Sequence, residues 1–161
     1  MVDSILQWNV RGVRARRQEI SLLLKEQNPS SLCLQVLKLP SNSQYSISNQ
    51  YKSYMKLPSD NIELPRGGTM VAVKLTILHI LLQISPRLQA AVVSFSAGSL
   101  KSLCSVYFSP NEQISTLQIE RFVDQLPKPT MLVGEMSAHN PMWFDGELNR
   151  RGEMVLSAIE A

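Results

Sequence analysis

The richest group of reactive side chains lies in residues 132–140, which read LVGEMSAHN. Glu135, Ser137, His139 and Asn140 follow a short apolar run of strand length, and Gly134 frees the chain to turn there. Carboxylate, hydroxyl, imidazole and amide groups together could bind a cation or transfer protons. The alternative is a polar loop in which Asn140 and the following proline start a turn, and both interpretations stay open at this point.

Three other segments also bring polar side chains to predicted strand ends. They read QWNVRG (7–12), LCLQVLKL (32–39) and VYFSPN (106–111). Active groups in layered α/β proteins usually lie where strands end and loops begin. These four segments are therefore the candidate sites for chemistry.

The basic residues are densest just after the first predicted strand, at Arg11, Arg14, Arg16 and Arg17. Residues 1–60 carry eight Lys/Arg against four Asp/Glu, whereas residues 110–161 carry four against eight. A basic cluster beside a strand end could contact phosphates, and the alternative is the solvated start of a helix.

Composition excludes several classes of protein. With 161 residues, 44% hydrophobic and 18% charged, the chain predicts one globular domain over 1–161. It shows no run long enough to span a membrane and no basic segment of the secretory type at its start, so we expect an intracellular protein, nuclear or cytoplasmic, with no membrane partner. Cys33 and Cys104 lack metal-ligand spacing and are predicted to be buried free thiols.

Periodicity predicts a mixed set of elements. Helices are expected over about 16–27, after the capping-box residues Ser115 and Gln118, and over 150–161. Strands are expected over 4–9, 31–37, 51–56, 69–74, 77–84, 88–95, 100–107 and 130–133, with the four from 69 to 107 forming an antiparallel meander. Residues 38–66, apart from the weak strand at 51–56, and residues 134–147 are expected to be loops. Because βαβ and hairpin connections both occur, we predict a layered α/β or α+β sandwich.

These segments, in this order, resemble the endonuclease/exonuclease/phosphatase superfamily, and in particular the apurinic-endonuclease-like domain of LINE-type (jockey-like) non-LTR retrotransposon proteins. The family's WN motif matches Trp8 and Asn9, and its LQE motif matches the segment ending at Gln35. Its Gly-Gly strand start, VY-x-P and GDFNAHNPxW motifs match residues 67–68, 106–110 and 134–143, and an xxRG turn matches 149–152. The resemblance covers essentially the whole chain.

The resemblance implies a two-sheet, four-layer α/β sandwich and a divalent metal, Mg²⁺ or Mn²⁺, that assists hydrolysis of a DNA phosphodiester. Its catalytic positions correspond to Asn9, Tyr107, Glu135 and Ser137, with Asn9 and Glu135 as metal ligands. His139 and the four arginines correspond to DNA contacts. Because these positions lie at strand ends, we predict that six side chains converge at one end of the sandwich: Asn9, Gln35, Tyr107, Glu135, Ser137 and His139. The implied partners are the DNA backbone and a downstream reverse transcriptase domain, which would use the nick for target-primed reverse transcription.

The sequence departs from the family pattern at its metal site. Val36 stands where the family has its metal-binding Glu, Glu135 replaces an Asp, and Ser137 replaces an Asn. The sequence also contains no Ser-Asp-His string, the family's late motif. We therefore expect a sandwich incomplete on its C-terminal side, an uncovered sheet edge that favours self-association, weakened metal binding and impaired or absent nicking.

Three functions remain open at this stage. The chain could be a retrotransposon-derived endonuclease domain with impaired activity, a non-catalytic DNA-binding remnant that kept its basic contacts, or a decayed mobile-element reading frame without selected function. Reverse-transcriptase sequence downstream would favour the first, salt-dependent DNA binding without cleavage the second, and many degenerate copies the third.

Overall fold

The computed structural model describes residues 2–58, 65–84 and 88–160. The strands are β1 (Ile5–Asn9), β2 (Ser31–Gln35), β3 (Tyr51–Lys56), β4 (Thr69–Lys74), β5 (His79–Leu82), β6 (Gln89–Phe95), β7 (Ser102–Tyr107) and β8 (Thr130–Glu135). The helices are α1 (Arg17–Gln27), α2 (Thr116–Asp124) and α3 (Arg150–Glu160), and a 3₁₀ turn covers Pro141–Trp143. No helix within the described ranges has the length and apolar character that crossing a bilayer requires.

The strands form two four-stranded sheets. The first has the order β1-β2-β4-β3 and the second the order β5-β6-β7-β8. In each sheet one pair is parallel, β1 with β2 and β7 with β8, because a helix connects its two strands. The other pairs are antiparallel.

The layers follow from how the strands alternate their side chains. Cys33, Val71 and Val73 of the first sheet pack between the sheets against residues such as Val93 and Leu103 of the second. The opposite face of the first sheet packs on Ile20 of α1, and that of the second sheet packs on α2 and α3. The predicted two-sheet α/β sandwich, with four layers, is therefore confirmed. Both faces of the central strands are buried, which is why they are almost uniformly apolar.

Several predicted elements differ from the structure. The strands expected over 77–84 and 100–107 are shorter, at His79–Leu82 and Ser102–Tyr107. Residues 69–107 are not one meander, since β4 belongs to the first sheet and β5 to the second. Strand β2 ends at Gln35 rather than residue 37, because Val36 and Lys38 both take positive φ. Strand β8 extends to Glu135, so Gly134 and Glu135 are ladder residues paired with Val106 and Tyr107 rather than loop residues. The turn predicted at 85–86 lies outside the described residues.

The capping box that the sequence predicts at the start of α2 is present. Ser115 Oγ accepts from the Gln118 backbone N–H, and Gln118 Oε1 accepts from the Ser115 N–H. Cys33 and Cys104 are both free and buried, as predicted. Burial raises the pKa of the Cys33 thiol to about 12 and also raises that of Cys104, so both thiols stay protonated.

Candidate active site at the strand ends

Strand register brings the predicted site residues to one end of the sandwich. Asn9 pairs with Gln35 at the ends of β1 and β2, and Tyr107 pairs with Glu135 at the ends of β7 and β8. The two sheets meet at this end, because the Gln35 amide donates to Ser105 Oγ across the sandwich. The four side chains thus lie at neighbouring strand ends despite their separation in sequence.

Gln35 is fully buried and is used for structure at this end. Its Nε2 donates to Ser105 Oγ at 2.9 Å, and its Oε1 accepts from Gln7 Nε2 at 2.6 Å. Ser105 Oγ also lies 2.6 Å from Thr69 Oγ1. This chain of hydrogen bonds satisfies polar groups that would otherwise be costly between two apolar sheets.

The glycine pair fixes the surroundings of Tyr107. A Cβ at Gly67 would lie 2.7 Å from Gln89 Oε1 and 3.1 Å from Tyr107 Cε1, and the residue has φ +64°. The backbone N–H of Gly68 donates to the same Gln89 oxygen at 2.8 Å. A side chain at position 67 would take a strained positive φ and would force Gln89 and the Tyr107 ring to shift, so glycine lets the loop before β4 pack closely against that ring.

The end of β8 is built by a second close approach. A Cβ at Gly134 would lie 2.0 Å from the Val106 carbonyl oxygen, so glycine is required there. Ser137 takes φ 50°, its N–H donates to Glu135 Oε1 at 3.0 Å, and its Oγ donates to the Phe108 carbonyl at 3.1 Å. Glu135 is therefore held in place, while the Ser137 hydroxyl is occupied in linking two loops.

His139 has a partner that the sequence analysis did not identify. Its Nδ1 lies 2.5 Å from Asp145 Oδ2, and the two side chains are 46% and 31% exposed. The hydrogen bond and charge of Asp145 raise the pKa of His139, with smaller contributions from Glu147 and Glu135. The same hydrogen bond holds the pKa of Asp145 below its usual value.

Arg151 holds the loops around the site together from the start of α3. Its guanidinium donates to the backbone carbonyls of Phe108, Ser109, Met136 and Glu112 at 2.5 to 3.4 Å. Burial raises the pKa of Glu112, and its Oε2 has no hydrogen-bond partner among the described residues. The loops that follow β7 and β8 are thus fixed relative to one another by one cation.

A cleft of about 940 Å³ opens beside these loops. Its walls include Glu135, Ser137, His139, Arg150 and Arg151, whereas Asn9 and Tyr107 are not among its described lining residues. The structure therefore brings three of the predicted site residues into one cleft. Asn9 and Tyr107 lie at the same end of the fold but outside that cleft.

The four arginines occupy the turn and helix start that follow β1. Gly12 N–H donates to the Val36 carbonyl at 2.8 Å, which packs this segment against the end of β2. Arg16 forms an ion pair with Glu19 at 3.1 Å. Burial raises the pKa of the Tyr45 hydroxyl, and the charges of Arg17 and Arg14 partly offset that rise. All four are exposed, so this end of the molecule presents a basic surface.

The residues present do not make a complete site for a divalent cation. Asn9 Oδ1 is buried without a hydrogen-bond partner among the described residues, so this acceptor is available as a cation ligand. Glu135 is the one carboxylate at a motif position, one of its oxygens is bound by the Ser137 N–H, and the side chain of Val36 offers no oxygen. The described residues contain no group of three His, Cys, Asp or Glu side chains placed to hold a metal. The implied metal therefore does not fit this donor set.

Sequence reasoning missed Asp145, Arg151 and Ser105 as parts of this region. Asp145 precedes a glycine and is typical of a turn, and nothing in its six-residue spacing from His139 predicts a hydrogen bond. Arg151 falls in the matched xxRG turn, where its charge gave no sign of a structural role. Ser105 lies in an otherwise apolar strand. A single polar residue in such a strand indicates a buried hydrogen bond, and this is the signal that could have identified it.

Comparison with known proteins gives matches at the level of the fold. No family model and no curated protein matches the chain. Among solved structures, the endonuclease domain of TRAS1, a telomere-specific non-LTR retrotransposon, has a TM-score of 0.75 and 16% identity, covering 99% of this chain and 72% of that one. An AP endonuclease from Archaeoglobus fulgidus has a TM-score of 0.67 and 14% identity, covering 99% and 70%.

A third solved structure is the 3′ phosphatase NExo from Neisseria bound to product DNA hairpin. Its TM-score is 0.68 at 14% identity, covering 96% of this chain and 70% of that one. The chain therefore has the fold of the endonuclease/exonuclease/phosphatase type, with a retrotransposon endonuclease domain among its structural neighbours.

Proposed function

We propose that this chain, which folds like nucleases acting on DNA, is a retrotransposon-derived endonuclease domain whose hydrolytic step is severely impaired. One observation carries the proposal. Asn9, Tyr107 and Glu135 lie at neighbouring strand ends of a TRAS1-like fold, while the intervening position 36 carries an isopropyl group instead of a carboxylate.

In this proposal the chain's own residues supply binding and orientation. The exposed arginines after β1 neutralise phosphates of the DNA backbone. Glu135, held by the Ser137 N–H, accepts a hydrogen bond from the attacking water, and Tyr107 orients the scissile phosphate. A divalent cation would neutralise charge developing on the phosphate. Because position 36 lacks a carboxylate to hold the cation, we propose that this stabilisation of the transition state is lost. In the parent element a downstream reverse transcriptase would extend the nicked strand.

The first prediction concerns the rate of DNA nicking. Each role of a metal in phosphate cleavage is worth several kcal/mol, and about 1.4 kcal/mol is a factor of ten in rate. We expect nicking of supercoiled plasmid in Mg²⁺ or Mn²⁺ to be undetectable or slower by several orders of magnitude than that of an intact relative assayed in parallel. Robust metal-dependent cleavage that Glu135→Ala abolishes would contradict the proposal.

A second function, DNA binding without cleavage, is favoured by the basic surface. Arg11, Arg14 and Arg17 are exposed at the same end of the fold as the strand-end residues. Backbone binding needs such cations but needs no metal ligand. Salt-dependent association with duplex DNA in EDTA, together with no nicking when Mg²⁺ is restored, would select this function over residual catalysis.

A further inference from the structure

We propose that His139, oriented by Asp145, binds a phosphate oxygen of the DNA backbone through its Nε2. This inference rests on the proposed function and deepens it, because it names a phosphate contact on the cleft wall and the residue that positions it. It makes His139 the phosphate ligand and Asp145 the positioning residue.

The geometry of the pair leaves one ring nitrogen for a ligand. Asp145 Oδ2 is an acceptor, so His139 Nδ1 carries the hydrogen in their 2.5 Å contact. Nε2 then accepts in the neutral ring and donates in the protonated ring. The His139 side chain is 46% exposed and lines the cleft, and no described residue hydrogen-bonds its Nε2. A phosphate oxygen that enters the cleft is the acceptor this donor would bind.

The backbone of His139 is held in place by the start of α3. The His139 N–H donates to Asn149 Oδ1 at 3.0 Å, and the Asn149 N–H donates back to the His139 carbonyl at 3.0 Å. A Cβ at Gly152 would lie only 1.9 Å from that carbonyl oxygen, so the helix approaches the loop as closely as glycine allows. The imidazole is therefore presented from a fixed backbone.

Asp145 is fixed as well. Its Oδ1 accepts from the Glu147 N–H at 3.3 Å, which leaves Oδ2 for His139. The Trp143 indole N–H donates to the Ala138 carbonyl at 3.2 Å and closes the intervening turn. Both partners are thus placed before any ligand binds, which lowers the entropic cost of the phosphate contact.

The charges around His139 set the pH range in which its Nε2 is protonated and can donate a hydrogen bond. The acidic groups facing it are Asp145, Glu147 and Glu135, and the cleft wall adds Glu112 from the loop after β7. The cations on that wall are Arg150 and Arg151, and Arg151 is occupied by four backbone carbonyls. The nearby acids raise the pKa of His139, so the donor form extends to higher pH than in an isolated histidine.

The test is the affinity for a labelled duplex DNA, measured by anisotropy in EDTA at fixed salt between about pH 5.5 and 8.5. We expect affinity to fall roughly fivefold as pH rises through the pKa of His139. His139→Gln should flatten this step, and Asp145→Asn should move its midpoint to lower pH, because an amide does not stabilise the imidazolium.

Asp124→Asn is the matched control. Asp124 is exposed at the end of α2 that leads towards the start of β8, away from the strand ends of the site. Its substitution removes the same charge as Asp145→Asn and should leave the midpoint unchanged. An identical pH profile for wild type and His139→Gln would overturn the phosphate contact, as would an affinity that rises with pH.

A second measurement separates this inference from the proposed function. The imidazole of His139 is titrated by NMR without DNA, with His139→Gln used to assign it among the two histidines. A midpoint that Asp145→Asn does not lower would overturn the role of Asp145 whether or not DNA binds. The absence of DNA binding at every pH would overturn both the phosphate contact and the proposed function.

Discussion

Val36 takes φ 58°, a left-handed conformation that is strained for a β-branched side chain. The residue follows Gln35 at the end of β2, and its carbonyl accepts a hydrogen bond from the Gly12 N–H, so the backbone there is fixed by its neighbours. Its side chain is half-buried, and it directly follows Gln35, which pairs with Asn9 at the end of β1. Position 36 is therefore where one added carboxylate should change the chemistry of the site most.

We expect Val36→Glu to bind Mg²⁺ or Mn²⁺ at least roughly tenfold more tightly than wild type, because it adds a second carboxylate near Asn9. Isothermal titration calorimetry measures this directly. Val36→Gln, which has the same length and no charge, is the control and should bind no better than wild type. Equal affinities for the two variants would mean that position 36 does not face the cation. We expect nicking by Val36→Glu to recover in part and to stay below that of an intact relative.

At the scale of single elements, the start of α3 matters most for the cleft. This helix brings Arg150 and Arg151 to the cleft wall and packs Gly152 onto the His139 carbonyl. Any side chain at position 152 must push the helix away from the loop or distort the loop itself.

Gly152→Ala should therefore lower the free energy of unfolding by about 2 kcal/mol or more, although alanine favours helices in general. Urea denaturation followed by circular dichroism measures the change. Ser157→Ala, an exposed position on the same helix, is the control and should stay within about 0.5 kcal/mol of wild type. A neutral Gly152→Ala would show that the helix can move without cost.

The segment between β1 and α1 is the second element that we expect to contact DNA. Arg11 and Arg14 are exposed beside the end of β2, where they can reach phosphates. Replacing both with Gln should reduce the slope of log affinity for DNA against log salt by up to about 2. The control replaces Lys25 and Arg121, which lie on α1 and α2, and removes the same charge. If replacing Arg11 and Arg14 leaves the slope unchanged, this segment does not contact the DNA backbone.

Patterns within short segments of sequence predicted most helices and strands, because apolar periodicity and capping residues act within a single element. The apolar stripe of Ile119, Phe122 and Val123 and the cap at Ser115 predict α2 without reference to the rest of the chain. The passage of the chain from the first sheet at β4 to the second at β5 could not be predicted in this way, because the alternation of apolar residues within a strand does not encode which sheet the strand joins. The pairing of His139 with Asp145 depends on how a 3₁₀ turn folds back, which residue spacing does not encode.

At the scale of the whole molecule, a buried polar chain joins the sheets. Gln35 and Thr69 from the first sheet both contact Ser105 from the second, and all three are fully buried. The two sheets therefore share hydrogen bonds as well as the apolar layer between them. Losing the central hydroxyl should affect both sheets at once.

We expect Ser105→Ala to lower the free energy of unfolding by about 1 to 3 kcal/mol, because it removes the acceptor of the buried Gln35 Nε2 and one of the two partners of Thr69 Oγ1. Far-ultraviolet circular dichroism in urea measures the loss, which should appear as one shifted transition. Ser96→Ala, an exposed serine after β6, should change little. A Ser105→Ala protein as stable as wild type would mean that the other groups find new partners.

The placement of the two tryptophans has an optical consequence. Trp8 packs against the core beneath α1, while Trp143 lies 36% exposed on the turn that connects His139 to Asp145. The indole emission of the protein therefore has one source in the first sheet and one on the turn between His139 and Asp145. In a Trp8→Phe protein only Trp143 would fluoresce. The emission of that protein would therefore report ligand binding near His139.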